Sequence, residues 1–475
     1  MPRPQQVLPI ALPALALLLP AQTQKAGLDP RMAQIAAAYA AKVAASAVFV
    51  SGRELDSVLA EELSPDRPLE MMIRPFLRLQ VDRDNGTVTA TLGKARATAC
   101  RTSGLGCTLT AEGVEAGALA ARSAPGPEPA GDPDHDWPRG DRGPAIPPDA
   151  DIDATALADA VTAAFAEREG RPAVRTRAVV VVHRGRLVAE RYATGYDASM
   201  ALPGWSMSKT ITNALVGIRV RQGKLDLQAP VGTPRWPKGD PRHALRLHHL
   251  MTMTPGLAWN ESYEDPASDV LRMLFASNDH AEVQASHALE HDPGAFWRYS
   301  SGVTNLICRE LRSTFTNDAD YWAFPRRALF NPLHMRSAVL ETDPSGTFVG
   351  SSYGFATARD WARFGLLYAQ DGVFDGQRIL PEGWVAASAA AAPSSGGRFG
   401  RQIWLNADPD GDGPQQRMWA DLPADLLHMD GHEGQYVIVL PTEQLVIVRL
   451  GCAKAGGFDL HGLIREVLRA CGGAR

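Results

Sequence analysis

Ser206 and Lys209 stand three residues apart in the stretch PGWSMSKTITNALVGIRVRQG, residues 203–223. Positions i and i+3 share one face of a helix, so a hydroxyl and an amine at this spacing can be neighbours. Serine is a weak nucleophile until a nearby base takes its proton, and a desolvated lysine can be that base. The first turn of a helix also presents N–H groups that lack internal partners and favour negative charge, so an oxyanion beside Ser206 could be stabilised there. Nucleophile, base and waiting N–H are three parts of an acyl-transfer site. The chain has seven lysines among its 48 basic residues, and of the seven Lys209 alone follows a serine at this spacing. S-x-x-K is a short motif, however, and an ordinary helix with a surface serine and lysine in its first turn reads the same way.

The elements that must carry this pair can be read around it. Pro203 and Gly204 are turn residues, Met207, Ile211, Leu215 and Ile218 recur at helical spacing, and Gly223 supplies a C-cap. Upstream, ATALADAVTAAFAE (154–167) reads as a compact helix, and RAVVVVHRGRLVAERYA (177–193) as two apolar strands turning at Arg184-Gly185. Residues 240–345 are rich in helix and loop patterns. Near the C-terminus Gly400–Asn406, Tyr436–Leu440 and Leu445–Leu450 are strand-like, and LHGLIREVLRA (460–470) closes as a helix. Strands at both ends with a helical middle predict one sheet assembled from the two ends, with a helical lobe inserted.

At 475 residues the chain can hold more than one domain, and 45% hydrophobic with 21% charged residues is an ordinary globular composition. A net charge of −5 without a basic stripe argues against a nucleic-acid partner. The cysteines (Cys100, Cys107, Cys308, Cys452, Cys471) form no metal-ligand spacing, and their odd number leaves at least one free. Cys100 and Cys107 flank SGLG in a hairpin and could pair if the protein is exported, or remain two thiols in strands.

Residues 1–27 hold a short apolar run, LPIALPALALLLP (8–20), behind Arg3 and ahead of a polar stretch. That is the layout of a secretory signal or a membrane-proximal anchor, which predicts an exported protein, periplasmic or tethered facing the periplasm. Residues 28–122 read as an accessory module in which an Ala-rich helix (32–50) precedes a hairpin turning at Asp84-Asn85-Gly86. A packing or anchoring role is expected of it. Residues 123–150 are rich in Pro, Gly and Asp and read as a linker or a long surface loop. Residues 151–475 form the remaining domain.

Three further stretches bear on Ser206: HDPGAFWRYSSGVTN (291–305), DGHEGQYVIVL (430–440) and GSSYGFATARDWARFGLLYAQDG (350–372). Together with GWSMSK (204–209) and HHLMTMTPGL (248–257), they resemble the serine β-lactamase and penicillin-binding-protein-like hydrolases, in the class C and esterase branch that includes 6-aminohexanoate-dimer hydrolases. The resemblance covers about residues 151–475 and not the preceding module. It implies an α/β (α+β) fold of the β-lactamase/transpeptidase type, an antiparallel sheet flanked by helices. It implies Ser206 as nucleophile, Lys209 as its base and Tyr299 as proton relay. The N–H groups of Ser206 and Gln435 would form the oxyanion hole. His432, Glu433 and Gly434 take the place of the family's K-T-G strand, and with Ser301 they are the expected substrate-binding residues. Ser301 stands where the family's Y-x-N element has Asn, which argues against β-lactam hydrolysis.

The expected partner is a small ester or amide, with no metal and no organic cofactor. A D-Ala-D-Ala carboxypeptidase or a β-lactamase is the alternative, and a binding or sensor module that kept only the fold is a third. His432 could equally be a polar residue at a strand start. His135 between aspartates, the EF-hand-like opening Asp408, Asp410, Asp412, Gly413 with Trp419 at its twelfth position, and His243, His248 and His249 are read as solvated or structural.

Overall fold

The computed structural model describes residues 29–473 apart from 67, 111–113, 115, 129–134, 144–150, 234 and 409–412. The apolar run at 8–20 and most of the Asp408–Gly413 loop lie outside the described residues.

Asp29 caps helix α1 (Pro30–Phe49) by accepting from the N–H groups of Arg31 and Met32. Helix α1 is long and apolar enough to cross a membrane, yet 72% of its apolar window is buried inside the protein. Its alanines let a sheet approach closely. That sheet is a meander of β1 (Leu77–Asp82), β2 (Thr87–Leu92), β3 (Ala95–Thr102) and β4 (Gly106–Leu109). Cys100 stands opposite Thr108 and Cys107 opposite Arg101 across β3 and β4, and both thiols are free.

Helix α2 (Ala154–Ala163) leads into β5 (Thr176–His183) and β6 (Arg186–Tyr192). These join β7 (Trp404–Leu405), β8 (Leu427–Gly431), β9 (Gln435–Leu440) and β10 (Leu445–Gly451) in one antiparallel sheet, ordered β7-β8-β9-β10-β5-β6. The two ends of the domain therefore build a single sheet, as the strand pattern predicts. Its strands are apolar on both faces because helices cover both. Val180, Val182, Val437 and Val446 face helices α3 (Ser208–Arg221) and α6 (Ala358–Ala369). Val179, Val181, Ile438 and Ile447 face α2 and the closing helix α7 (Leu460–Ala470). Helices α4 (Asp269–Ala276) and α5 (Ser301–Ser313) belong to the inserted lobe.

The N-terminal residues share a core with this domain. Ala37, Ala41 and Ala44 of α1 join Val88 of β2, Phe275 of α4, and Trp205, Trp259 and Tyr353 in one apolar cluster. Polar ties reinforce it. Arg177 of β5 donates to Glu61 at 2.8 Å and to Glu62 at 2.6 Å. Lys42 of α1 pairs with Glu341, whose Oε1 also accepts from Ser46 Oγ at 2.9 Å and from the Cys107 N–H at 2.7 Å. Burial pushes the Glu341 carboxyl above its ordinary range, and Lys42 opposes that rise. Removing one partner of a buried pair strands the other, so Lys42→Met is expected to cost about 3 kcal/mol or more in a urea titration. Pairing the change with Glu341→Leu should recover much of the loss, whereas an unshifted midpoint for Lys42→Met would show that the pair holds nothing together. The described part of residues 123–150 also docks: Trp137 is buried, and Arg363 of α6 donates to the Pro138, Gly140 and Asp141 oxygens at 2.9, 2.7 and 2.7 Å.

Candidate active site

Ser206 does not open a helix, as its spacing predicts, but sits in the single 3-10 turn Trp205–Met207 that precedes α3. The backbone enters this turn through Trp205 at φ +47°, a conformation uncommon for a residue with a side chain. Neighbours hold it there. The Gly204 N–H donates to the Gly354 carbonyl at 2.8 Å, and Ser208 Oγ donates to the Trp205 carbonyl at 2.6 Å while accepting from the Gly354 N–H at 2.8 Å. On the far side β8 abuts the same bend so closely that a Cβ on Gly431 would lie 2.1 Å from the Gly204 carbonyl.

The predicted pair meets. Lys209 Nζ donates to Ser206 Oγ at 2.9 Å, to Ser301 Oγ at 3.0 Å and to the Ser351 carbonyl at 3.0 Å. Three acceptors and burial fix the amine on one line with the serine oxygen. Burial lowers the Lys209 ammonium to about 8, although the charges of Glu261 and Asp430 work the other way. A neutral fraction of about a tenth, able to accept a proton, then exists at pH 7 and grows as pH rises.

Tyr299 completes the group. Its phenol lies beside the Ser206 hydroxyl, and Lys209 Nζ lies 4.7 Å from the centre of its ring. Stacking on Trp404 at 5.4 Å and an edge contact with Phe399 at 5.9 Å fix the ring plane. Burial and then the Glu261 charge hold the phenol proton more firmly than usual, with the Ser206 contact easing the opposite way.

Ser301 lies beneath the site. It is fully buried, and its hydroxyl accepts from Lys209 Nζ and donates to Glu261. His432 stands near the Ser206 turn, edge-on to Trp205 at 5.4 Å and stacked on Tyr263 at 4.5 Å. Glu433 and Gly434, at φ +67° and +79°, form the turn between β8 and β9. Arg449 donates to the Glu433 carbonyl at 3.2 Å, and a Cβ on Gly434 would meet that guanidinium at 2.6 Å. The Glu433 side chain is tucked in, 4% exposed, with the Cys452 thiol 3.5 Å from its Oε2. Gln435 turns its side chain toward β10, donating to the Gly451 carbonyl at 2.6 Å and accepting from the Gly451 N–H at 3.0 Å. Any oxyanion role it has belongs to its backbone.

Two residues that sequence reading passed over complete the surroundings. Glu261 accepts from the Ser301 N–H at 2.8 Å and from its hydroxyl, and is braced by the Trp259 indole. Tyr263 stacks on His432, and burial pushes its phenol well above the ordinary tyrosine range. No side-chain group able to hold a metal ion occurs among the described residues.

Comparison with known proteins gives this geometry a family. The model of the Beta-lactamase family matches residues 158–465. A 6-aminohexanoate-dimer hydrolase of Paenarthrobacter ureafaciens is 25% identical over 303 residues, covering 58% of this chain and 72% of that protein. Among solved structures, a Bacillus anthracis protein named for 6-aminohexanoate-dimer hydrolase superposes with a TM-score of 0.51 at 21% identity, over 70% of this chain and 86% of that one. A Bacteroides dorei protein named for a beta-lactamase gives 0.52 at 17% identity, over 68% and 99%. At such identities the structures speak to the fold alone. The chain belongs to the beta-lactamase family and is a serine hydrolase of that family.

Proposed function

We infer that this hydrolase cleaves a small ester or amide through an acyl-enzyme on Ser206. The observation that carries the reading is the 2.9 Å contact between Lys209 Nζ and Ser206 Oγ, made by an amine whose proton burial has loosened. Neutral Lys209 takes the hydroxyl proton as Ser206 Oγ attacks the carbonyl carbon. The N–H groups of Ser206 and Gln435 receive the oxyanion, each worth ~2.7–4 kcal/mol in sites of this kind. Tyr299, in contact with the serine, returns the proton to the leaving oxygen or nitrogen, and water then releases the acyl group by the reverse relay. Ser301 and Glu261 hold the lysine in place. His432 and Tyr263 form a wall against which a substrate can lie.

Residue 301 presents no carboxamide and its hydroxyl is occupied, so the substrate class is a simple acyclic ester or amide rather than a β-lactam. A panel of short-chain nitrophenyl esters, a linear 6-aminohexanoate amide, nitrocefin and a D-Ala-D-Ala peptide tests this. Turnover of the first two is expected, and preference for nitrocefin or the D-Ala-D-Ala peptide would overturn the assignment. The pH profile provides a second check. Because neutral Lys209 is the working form, kcat/KM toward an ester should rise with pH and level off above about 8. A profile already flat on the acid side of neutrality would remove Lys209 from the base role. Export and tethering through residues 8–20 belong to the same reading of where the enzyme works.

A further inference from the structure

The short helix Pro68–Ile73 and the turn after it have an inverted pattern. Glu70 and Ile73 are buried, while Met71, Met72 and Phe76 are 58%, 50% and 65% exposed. These three fall within six residues, whereas exposed apolar side chains in general are scattered singly. The segment is folded back on itself, Arg74 N–H donating to the Glu70 carbonyl at 2.8 Å and Phe76 N–H to the Ile73 carbonyl at 3.0 Å.

Strand register shows what surrounds them. Phe76 leads directly into β1, where Arg78 stands opposite Thr91, and Thr91 opposite Arg96 of β3. Exposed Arg78 and Arg96 therefore flank one threonine on the outer face of the meander, and exposed Lys94 occupies the adjoining turn. The acidic residues Asp82 and Asp84 lie at the other end of β1. This edge also receives the start of α1, since Gln34 Nε2 donates to the Arg96 carbonyl at 3.0 Å. Exposed Arg31 lies one turn earlier, with Asp29 as the helix cap. Eight residues, 21–28, separate Asp29 from the apolar run 8–20. At about 3.3–3.6 Å per residue they reach no further than about 30 Å.

We propose that this edge, where the exposed Met71, Met72 and Phe76 lead into β1 and the basic Arg78, Lys94 and Arg96 stand at the same end of the meander, docks the folded enzyme on an anionic lipid bilayer. Apolar side chains beside basic ones are what an interface of acyl chains and anionic headgroups binds. The chain also leaves this edge toward its own apolar segment. A bilayer holding residues 8–20 would keep the edge within reach of its surface. The docking edge is tied to the active-site rim: Asp66 is bonded by Lys454 at 2.9 Å and Arg175 at 2.6 Å, and the residue before Lys454, Ala453, donates its N–H to the Glu433 carbonyl at 2.9 Å.

The test uses the full chain with vesicles of phosphatidylglycerol mixed equally with phosphatidylcholine, and with phosphatidylcholine alone. Met71→Ser, Met72→Ser and Phe76→Ser together should weaken co-sedimentation with the mixed vesicles by about tenfold or more. Ester turnover in solution and the thermal midpoint should not change. Arg78→Glu, Lys94→Glu and Arg96→Glu together should abolish the preference for the anionic vesicles. As a second readout, all five native cysteines are buried, so an environment-sensitive thiol dye on Phe76→Cys should report this one position and shift to the blue on vesicles. Equal sedimentation of wild type and the serine variant would mean that residues 8–20 bind alone and would overturn the proposal. So would an unshifted dye, or a dimer in light scattering that the serine variant dissolves without any change in vesicle binding.

Discussion

Lys209→Arg is expected to lower kcat/KM toward a reactive ester by about a thousandfold or more, with the protein still folded. Positioned proton transfer contributes typically 10²–10⁴-fold, and arginine cannot perform it because its guanidinium keeps its proton at any working pH. Charge is preserved by the change, so electrostatic support for an oxyanion is largely retained and the loss reports the base alone. The surroundings sharpen the contrast. The amine is buried and held by Ser206, Ser301 and the Ser351 carbonyl, an arrangement built for a compact group with three donors. A guanidinium placed there is a larger group with no acceptor of protons. Rates of acylation measured by stopped flow, with circular dichroism as the fold control, decide the matter. A variant within a few-fold of wild type would mean that another group takes the serine proton.

The second large effect is expected at Tyr299. Removing only its oxygen, in Tyr299→Phe, should slow acylation by about a hundredfold, most for substrates with poor leaving groups. Stability should change by no more than about 1–2 kcal/mol, since only the phenol oxygen is removed while the ring contacts with Trp404 and Phe399 stay. The dependence on leaving group separates a proton relay from a packing residue. Activated nitrophenyl esters, which need little help in leaving, should be affected least, and an alkyl amide most. An equal loss on both would assign Tyr299 to holding Ser206 in place.

Much of this site is legible in the sequence because its parts lie in short, patterned stretches. S-x-x-K fixes the serine and lysine on one side of a helical turn whether that turn is 3-10 or α, so the pair is found although the helix begins later than its periodicity predicts. The delay has a local cause: Ser208 bonds back to the Trp205 carbonyl, and Trp205 takes a left-handed bend that side-chain patterns do not announce. The apolar strands β5, β9 and β10 are plain from their runs of valine and isoleucine. Strand β8 is not, since His428 and Asp430 interrupt the apolar pattern of LHMDG, yet both faces of the sheet are covered. The predicted strand over Gly400–Asn406 shrinks to Trp404–Leu405, with Gln402 at φ +59° turning the chain just before it.

Glu261 and Tyr263 were beyond reach because nothing local marks them. They enter the site only when the inserted lobe folds back over Ser301, some forty residues further on. The same holds for residues 28–122, whose helix α1 has the composition of a membrane span and the environment of a core helix. Its contacts with Trp205, Tyr353 and Glu341 are all long-range, and composition cannot report them.

The most direct test of the central claim is the intact mass of wild type and Ser206→Ala after brief exposure to a fluorophosphonate or a reactive nitrophenyl ester. One adduct per chain on wild type and none on the variant is the predicted result. Folded wild type that takes up no label, or a Ser206→Ala variant labelled as fully as wild type, would contradict Ser206 as the activated nucleophile.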